Sequence, residues 1–409
     1  MSYRSRGQSG RISPTLILSY VFDWFIIVAA AGIGAWLATI TPNMRPFSLI
    51  DPNISFPHVE QEKISTVLMG ICGAGIPMAI IFLVTFLLVP GPTVSKNTPQ
   101  SLIWRRKLWE WHTGWLGLAL SLSSAFLITQ GMKNLFGKPR PDLLSRCQPD
   151  IDNIALYLTG SSDHYNVTNQ GLPILVSAAI CKQTDKHILD DGFRSFPSGH
   201  SSFSSAGLIY LSLYLASKLA ISIPFLSPRA YSPDESHLSA FPSRAVRSPE
   251  AASLTRGPTP LEHDEPTGHN DRIIAARNEA AAPPVYLLAI AIIPWFASIY
   301  ISATRWSDFR HHGFDILFGY TIGLITAVFA FRFYHLPIRQ GAGWSWGPRS
   351  TERSFWAGIG VGSYAGTGDR VTEDTAKKSD IETGEMSLPK RRATNNDVGL
   401  TEESKIRDR

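Results

Sequence analysis

Residues 66–90 read TVLMGICGAGIPMAIIFLVTFLLVP, 25 positions without a charged side chain. About 20 predominantly apolar residues in helical form cross a hydrocarbon core, so this run predicts a membrane-spanning helix. The same reading applies outward along the chain at 16–39, 114–132, 199–222, 285–303 and 313–334. Six spans result, and with them an all-α, polytopic membrane architecture. Trp24 to Met44 is equally free of charge, and the ionisable intruders Asp23, Lys218 and Arg332 lie near predicted ends, where long side chains snorkel. Pro294 falls inside the fifth span and predicts a kink, which membrane helices tolerate. The first span is too long, and too poorly followed by a small-residue cleavage site, to read as a removable signal peptide.

The composition of the 409 residues agrees. Only 17% are charged and 44% are hydrophobic, against roughly 25% charged in average soluble proteins. Residues 336–409 carry 12 Lys/Arg and 11 Asp/Glu of the 71 charges, so the mean hydropathy of +0.01 conceals a far more apolar remainder. Wholly disordered, collagen-like and Cys-dense scaffolds are excluded. A dispersed net charge of +5 predicts no nucleic-acid partner. The domain reading is a cytoplasmic N-terminus at 1–15, a six-helix core at 16–336, a disordered cytoplasmic loop at 225–283 interrupting it, and a disordered cytoplasmic tail at 337–409. Ser227-Pro228, Ser232-Pro233, Ser248-Pro249 and Thr259-Pro260 fit proline-directed kinase sites, but a plain flexible linker is the favoured reading of this loop. Lys390-Arg391-Arg392 reads as a solvated charge run.

Basic residues in short loops set the orientation. Arg4, Arg6 and Arg11 precede the first span, and Lys96, Arg105, Arg106 and Lys107 separate the second from the third. Both termini are therefore expected in the cytoplasm, with loops 40–65, 133–198 and 304–312 facing a lumen or the exterior. Two N-x-[ST] sequons, at Asn53 and Asn166, fall in these outer loops as candidate glycosylation sites. Cys147 and Cys181 share one such loop, where an oxidising compartment permits a disulfide, while Cys72 lies mid-span.

Three polar islands reach the same outer face. They are Lys133 to Asp142 after the third span, Ser195 to His200 entering the fourth, and Thr304 to Asp315 between the fifth and sixth. Lys133, Arg140 and Arg305 offer fixed cations for a doubly charged anion, with Arg forks matching phosphate oxygens. Ser198, Gly199 and His200 open a helix, where free N–H groups and the dipole favour an anion. Gly199 allows close backbone approach, and Ser198 adds a hydroxyl. His311 and Asp315 are four apart, so at a helix entrance they share a face. A carboxylate bound to one ring nitrogen leaves the other free as a nucleophile. His200 then serves as general acid and base. A metal held by His200, His311, His312 and Asp315 is disfavoured by the surrounding cations.

Lys133-x6-Arg140-Pro141, Pro197-Ser198-Gly199-His200 and Arg305-x5-His311-x3-Asp315 together resemble the three-part signature of the type 2 phosphatidic acid phosphatases, relatives of the haloperoxidases. The strings around Arg140–Cys147 and Asp308–His312 look most like the fungal diacylglycerol pyrophosphate phosphatase branch. The resemblance implies a helical bundle of that family and a metal-independent, cofactor-free lipid phosphate phosphatase. Its substrates would be phosphatidic acid, lysophosphatidic acid or diacylglycerol pyrophosphate, in an endomembrane or the plasma membrane. It further implies His311 as phosphohistidine nucleophile oriented by Asp315, His200 as acid and base, and Lys133, Arg140, Ser198, Gly199 and Arg305 as phosphate ligands. One departure is Thr304 where the family's third motif usually has Ser. The rival readings are an isoprenoid pyrophosphate or sphingoid phosphate phosphatase on the same residues, and a catalytically dead lipid-binding relative.

Overall fold

The computed structural model describes residues 13–91, 94–95, 98–159, 175–224, 281–338, 343–355, 358–359 and 364–365. Asn166, the four Ser/Thr-Pro pairs and the Lys390–Arg392 run lie outside them. The chain divides into two compact units, 20–346 and a smaller one built from 1–19 with 347–409. In the smaller unit, Ser19 Oγ donates to the Ser354 carbonyl at 2.9 Å and accepts from Arg349 at 2.6 Å. A short 3-10 turn covers Thr351–Arg353.

The larger unit is helical. Its long elements are α1 (Pro14–Leu37), α2 (Thr66–Leu88), α3 (Gln100–Phe136), α6 (Gly199–Lys218), α7 (Val285–Ser307) and α8 (Gly313–Tyr334). Two short helices, α4 (Leu143–Cys147) and α5 (Lys186–Gly192), lie between α3 and α6. Five of the long helices are long and apolar enough to cross a membrane. The exception is α6, the fourth of the six predicted spans, and its composition explains why. It is the inner helix, packed against α3, α7 and α8, so it presents little surface to lipid. Its Ser201, Ser202, Ser204 and Ser205 are all buried. Ser202 Oγ accepts from Thr129 on α3 at 2.8 Å, and Ser205 Oγ donates to the Ser201 carbonyl one turn back at 2.7 Å. Hydroxyls satisfied in this way pack between membrane helices without hydrocarbon contact. At 20 residues, α6 is about 30 Å long.

The close seam is α6 against α8. A methyl group at Gly319 would strike the backbone of Ser198, and one at Gly323 would strike Ser202 and Ser205. The absence of side chains at these two positions, one turn apart, lets α8 lie directly on the start of α6. The apolar core around this seam includes Leu118, Leu122, Tyr210, Leu211, Tyr214 and Phe331.

Two sequence-based boundaries need correction. The third span, expected at 114–132, is a 37-residue helix, because Arg105, Arg106 and Lys107 continue the helix beyond the apolar stretch. The tail read as disordered from 337 is ordered where it meets that extension. Fully buried Glu110 accepts from Ser345 N–H at 3.1 Å, Ser345 Oγ at 2.9 Å, Lys218 at 2.6 Å and Arg106 at 3.1 Å. A buried carboxylate requires such donors, and the chain at 343–346 supplies two of them. The larger unit accordingly runs to Trp346.

At the opposite end of α3 and α6, residues 38–65, 137–159 and 175–198 build a small cap. Strands β1 (Phe47–Ser48) and β2 (Leu175–Val176) pair antiparallel, Phe47 opposite Val176. Beneath them Phe47, Ile54, Leu143, Cys147, Val176, Ile180 and Phe193 form a separate apolar core. Cys147 and Cys181 are joined by a disulfide.

Candidate active site

The end of α3, the start of α6, the end of α7 and the start of α8 meet under this cap. Lys133 occupies the last turn of α3, buried to 8% exposure. Its Nζ lies so close to Gly199 that a methyl group there would come within 3.2 Å of it. Among the described residues no carboxylate is within ion-pair distance of Lys133. An isolated buried ammonium costs several kcal/mol, a cost that an anion beside Gly199 would offset. Ser198 N-caps α6, its Oγ accepting from Ser201 N–H at 3.4 Å, and its own N–H is held by the Asp315 carbonyl at 3.0 Å.

Two histidines lie near Lys133. His311 is 3% exposed, and its Nδ1 lies 2.6 Å from the Ser195 carbonyl oxygen. A carbonyl only accepts, so Nδ1 carries the hydrogen and the Nε2 lone pair is left free. Burial pushes the His311 pKa well below its usual 6.5, and the nearby Arg140 and Lys133 cations push it further, outweighing the Ser195 bond. Both effects favour the neutral imidazole. His200 sits in the first turn of α6, and its Nε2 donates to the Ile64 carbonyl at 3.2 Å.

Asp315 makes no direct hydrogen bond to His311, contrary to the expectation from their spacing. His311 precedes the N-cap of α8, which is His312, so helical i,i+4 geometry does not relate the pair. Both Asp315 oxygens are engaged elsewhere: by Lys138 at 2.7 Å, Ser195 Oγ at 2.6 Å, and the N–H and ring of His312 at 3.2 and 3.1 Å. Asp315 thus grips Ser195 by its hydroxyl, while the Ser195 carbonyl grips His311.

The arginines are buried and paired. Arg305, in the last turn of α7, reaches Glu62 and Asp308 at 2.9 Å each and the Ile64 carbonyl at 3.0 Å. Thr304 keeps the hydroxyl function of its position: its Oγ1 donates to the Ile301 carbonyl and accepts from Arg305 Nε at 3.3 Å. Arg140 pairs with Asp191 at 2.7 Å, and Asp191 also meets Arg146 at 2.9 Å and Arg310 at 3.6 Å. Burial works to raise the Asp191 pKa, but Arg140, Arg146, Lys133 and Arg310 outweigh it and hold the carboxyl below the usual range. Among the described residues, no three His, Cys, Asp or Glu side chains converge as metal ligands.

The structure brings Lys133, Arg140, Ser198, Gly199, His200, Arg305 and His311 together, and attaches Asp315 through Ser195. Sequence reasoning missed Glu62, Asp191, Ser195, Lys138 and Arg310 as members of the site. Ser195, Lys138 and Arg310 lay inside the polar islands. Glu62 lay in a loop and Asp191 in the short helix α5, and neither acidic residue belonged to a recognisable motif. Of the candidate glycosylation sites, Asn53 is described, exposed on the cap, with its side chain donating to Asp51 at 2.9 Å.

Residues 114–339 match the PAP2 superfamily. The chain is 34% identical to "Probable diacylglycerol pyrophosphate phosphatase 1" of Schizosaccharomyces pombe over 178 residues, 44% of this chain and 52% of that protein. It is 24% identical to "Diacylglycerol pyrophosphate phosphatase 1" of Saccharomyces cerevisiae over 300 residues, 73% of each. With "Lipid phosphate phosphatase 2" of Arabidopsis thaliana it shares 28% identity over 240 residues, 59% of this chain and 57% of that one. The chain therefore spans about half the length of the S. pombe relative. No solved structure matches it.

Proposed function

The chain belongs to the PAP2 superfamily, and we propose that it is a membrane-embedded lipid phosphate phosphatase working through a phosphohistidine. The substrate class is the phosphomonoester and pyrophosphate lipids: phosphatidic acid, its lyso form and diacylglycerol pyrophosphate. The names of the fungal and plant relatives support this class, as do five helices apolar enough to hold the site at a bilayer. One observation carries the mechanism: neutral His311, with its Nε2 free, stands beside buried Lys133, which has no carboxylate partner among the described residues.

In the first step His311 Nε2 attacks phosphorus, the bond from phosphorus to the leaving oxygen breaks, and His200, held as imidazolium by the bound phosphate dianion, gives that oxygen its Nε2 proton and becomes neutral. In the second, His200 takes a proton from water, the oxygen attacks phosphorus, the N–P bond breaks and inorganic phosphate leaves. Lys133, Arg140, Arg305 and the N–H groups at the start of α6 hold the charge that builds on the phosphoryl oxygens. These cations supply the stabilisation that metal ions supply in other phosphatases, so the reaction is metal-independent. The site opens toward a lumen or the exterior, the side on which the cap disulfide is stable and on which Asn53 and Asn166 can be glycosylated.

The test is phosphate release by the purified protein in mixed micelles with excess EDTA. Phosphatidic acid, diacylglycerol pyrophosphate, a sphingoid phosphate and an isoprenoid pyrophosphate are offered in parallel. Turnover is expected to survive EDTA and to vanish in His311→Ala, and the ranking identifies the substrate. Retained turnover in His311→Ala removes it as the nucleophile, and no release from any lipid removes the phosphatase reading.

A further inference from the structure

The loop between α1 and α2 does more than connect them. Residues 58–64 lie as a strap across the site, pinned to it from end to end. His58 Nδ1 is 2.7 Å from Asp142. The Val59 carbonyl accepts from Arg310 at 2.9 Å. Lys63 donates its N–H to Asp308 at 3.0 Å and its ammonium to Ser307 at 2.8 Å. The Ile64 carbonyl receives both Arg305, at 3.0 Å, and His200, at 3.2 Å.

Within this strap Glu62 points inward. Its Oε1 is 3.0 Å from Arg310, and its Oε2 is 2.9 Å from Arg305 and 3.8 Å from His200 Nε2. The carboxylate thus engages an arginine fork assigned above to phosphate, and stands beside the proton donor. A carboxylate and a phosphate present similarly spaced anionic oxygens to a guanidinium, so the two compete for Arg305. Lys133 differs, having no carboxylate within ion-pair distance among the described residues. One part of the cradle is open to an incoming anion, and the other is already filled by the chain.

We propose that Glu62 is a resident counter-anion of the phosphate site. An incoming phosphoryl group displaces it from Arg305 and Arg310, loosening the strap, and its return expels inorganic phosphate after turnover. The inference rests on the reading of Lys133, Arg140 and Arg305 as phosphate ligands. Two consequences follow. Glu62 weakens ground-state binding of every phosphate ligand, because only the displaced population is competent. It also releases His200 from the Ile64 carbonyl at the moment substrate arrives, so the acid becomes available only when the site is occupied.

The experiment is calorimetric titration of inorganic phosphate into the purified full chain in detergent, as wild type, Glu62→Gln and Glu62→Asp. Glu62→Gln is expected to bind phosphate about tenfold more tightly, and Glu62→Asp to stay near wild type. During lipid turnover, Glu62→Gln should lower KM and kcat together, with stronger inhibition by added phosphate. A carboxylate that merely ties the loop down predicts unchanged or weaker phosphate binding, and that result overturns the proposal.

Should Glu62→Gln fail to fold, hydrogen exchange of the wild-type strap replaces it. Saturating phosphate is expected to speed exchange at the Lys63 amide, and unchanged or slower exchange overturns the proposal. Tighter phosphate binding in Glu62→Gln without any lipid hydrolysis by the wild type would leave the strap inference standing and remove the phosphatase reading. Lipid hydrolysis with unchanged phosphate affinity would do the reverse.

Discussion

Ser195 joins two groups that the sequence spacing had linked directly. Its carbonyl holds the His311 Nδ1 hydrogen while its hydroxyl is held by Asp315. In the proposed mechanism Asp315 is therefore a positioning residue acting through Ser195, and its removal should alter the aim of His311 more than the grip on phosphate. Asp315→Asn is expected to lower kcat roughly 10–100-fold with little change in KM. Ser195→Ala should lower kcat as well, and adding it to the Asp315→Asn background should cost little more, because both break the same link. Steady-state kinetics on the two single variants and the double variant check this, and full additivity would show that the two residues act separately.

At the scale of elements, the site depends on α8 lying directly on the start of α6. Gly319 meets the backbone of Ser198 at the mouth of the site, whereas Gly323 meets Ser202 and Ser205 one turn deeper. Adding a methyl group at either position overpacks the seam, with an expected loss of about 1–3 kcal/mol. Gly319→Ala should in addition displace the Ser198–Gly199 turn and depress kcat. Gly323→Ala should retain most of its kcat at a similar loss of stability. Thermal unfolding in detergent alongside kcat separates the two effects, and equal loss of kcat in both variants would refute the dependence on depth. The serines of α6 belong to the same element-scale logic. They suit a helix surrounded by other helices, and for that reason α6 is the one predicted span too polar to qualify as lipid-facing.

Across the whole larger unit, the bundle supplies half of the site and the cap supplies the rest. Lys133, His200 and Arg305 come from helix ends, while Arg140 and Glu62 come from loops of the cap, and Arg146 and Asp191 from its short helices α4 and α5. The Cys147–Cys181 disulfide spans 34 residues and fastens the strand-paired, apolar centre of the cap. Cys147→Ser should destabilise the cap by about 2–4 kcal/mol. It should weaken substrate binding, read as a raised KM, before it unfolds the helices. Circular dichroism that holds while KM rises would locate the effect in the cap, whereas parallel loss of both would place the disulfide in the folding of the entire unit.

The sequence alone was sufficient for the helical membrane architecture, because charge-free runs of bilayer length have few other stable states. It was also sufficient to nominate Lys133, Arg140, Ser198, Gly199, His200, Arg305 and His311, because their types and order match a single chemistry. Pairings among them were not legible. Whether Asp315 meets His311 depends on where α8 begins, and the N-cap at His312 puts His311 outside the helix. Whether a carboxylate such as Glu62 or Asp191 enters a ring of arginines depends on how two long loops fold back over the helix ends. Contacts between residues more than a hundred positions apart, such as Glu62 with Arg305, leave no local periodicity in the chain, and only the tertiary structure decides them.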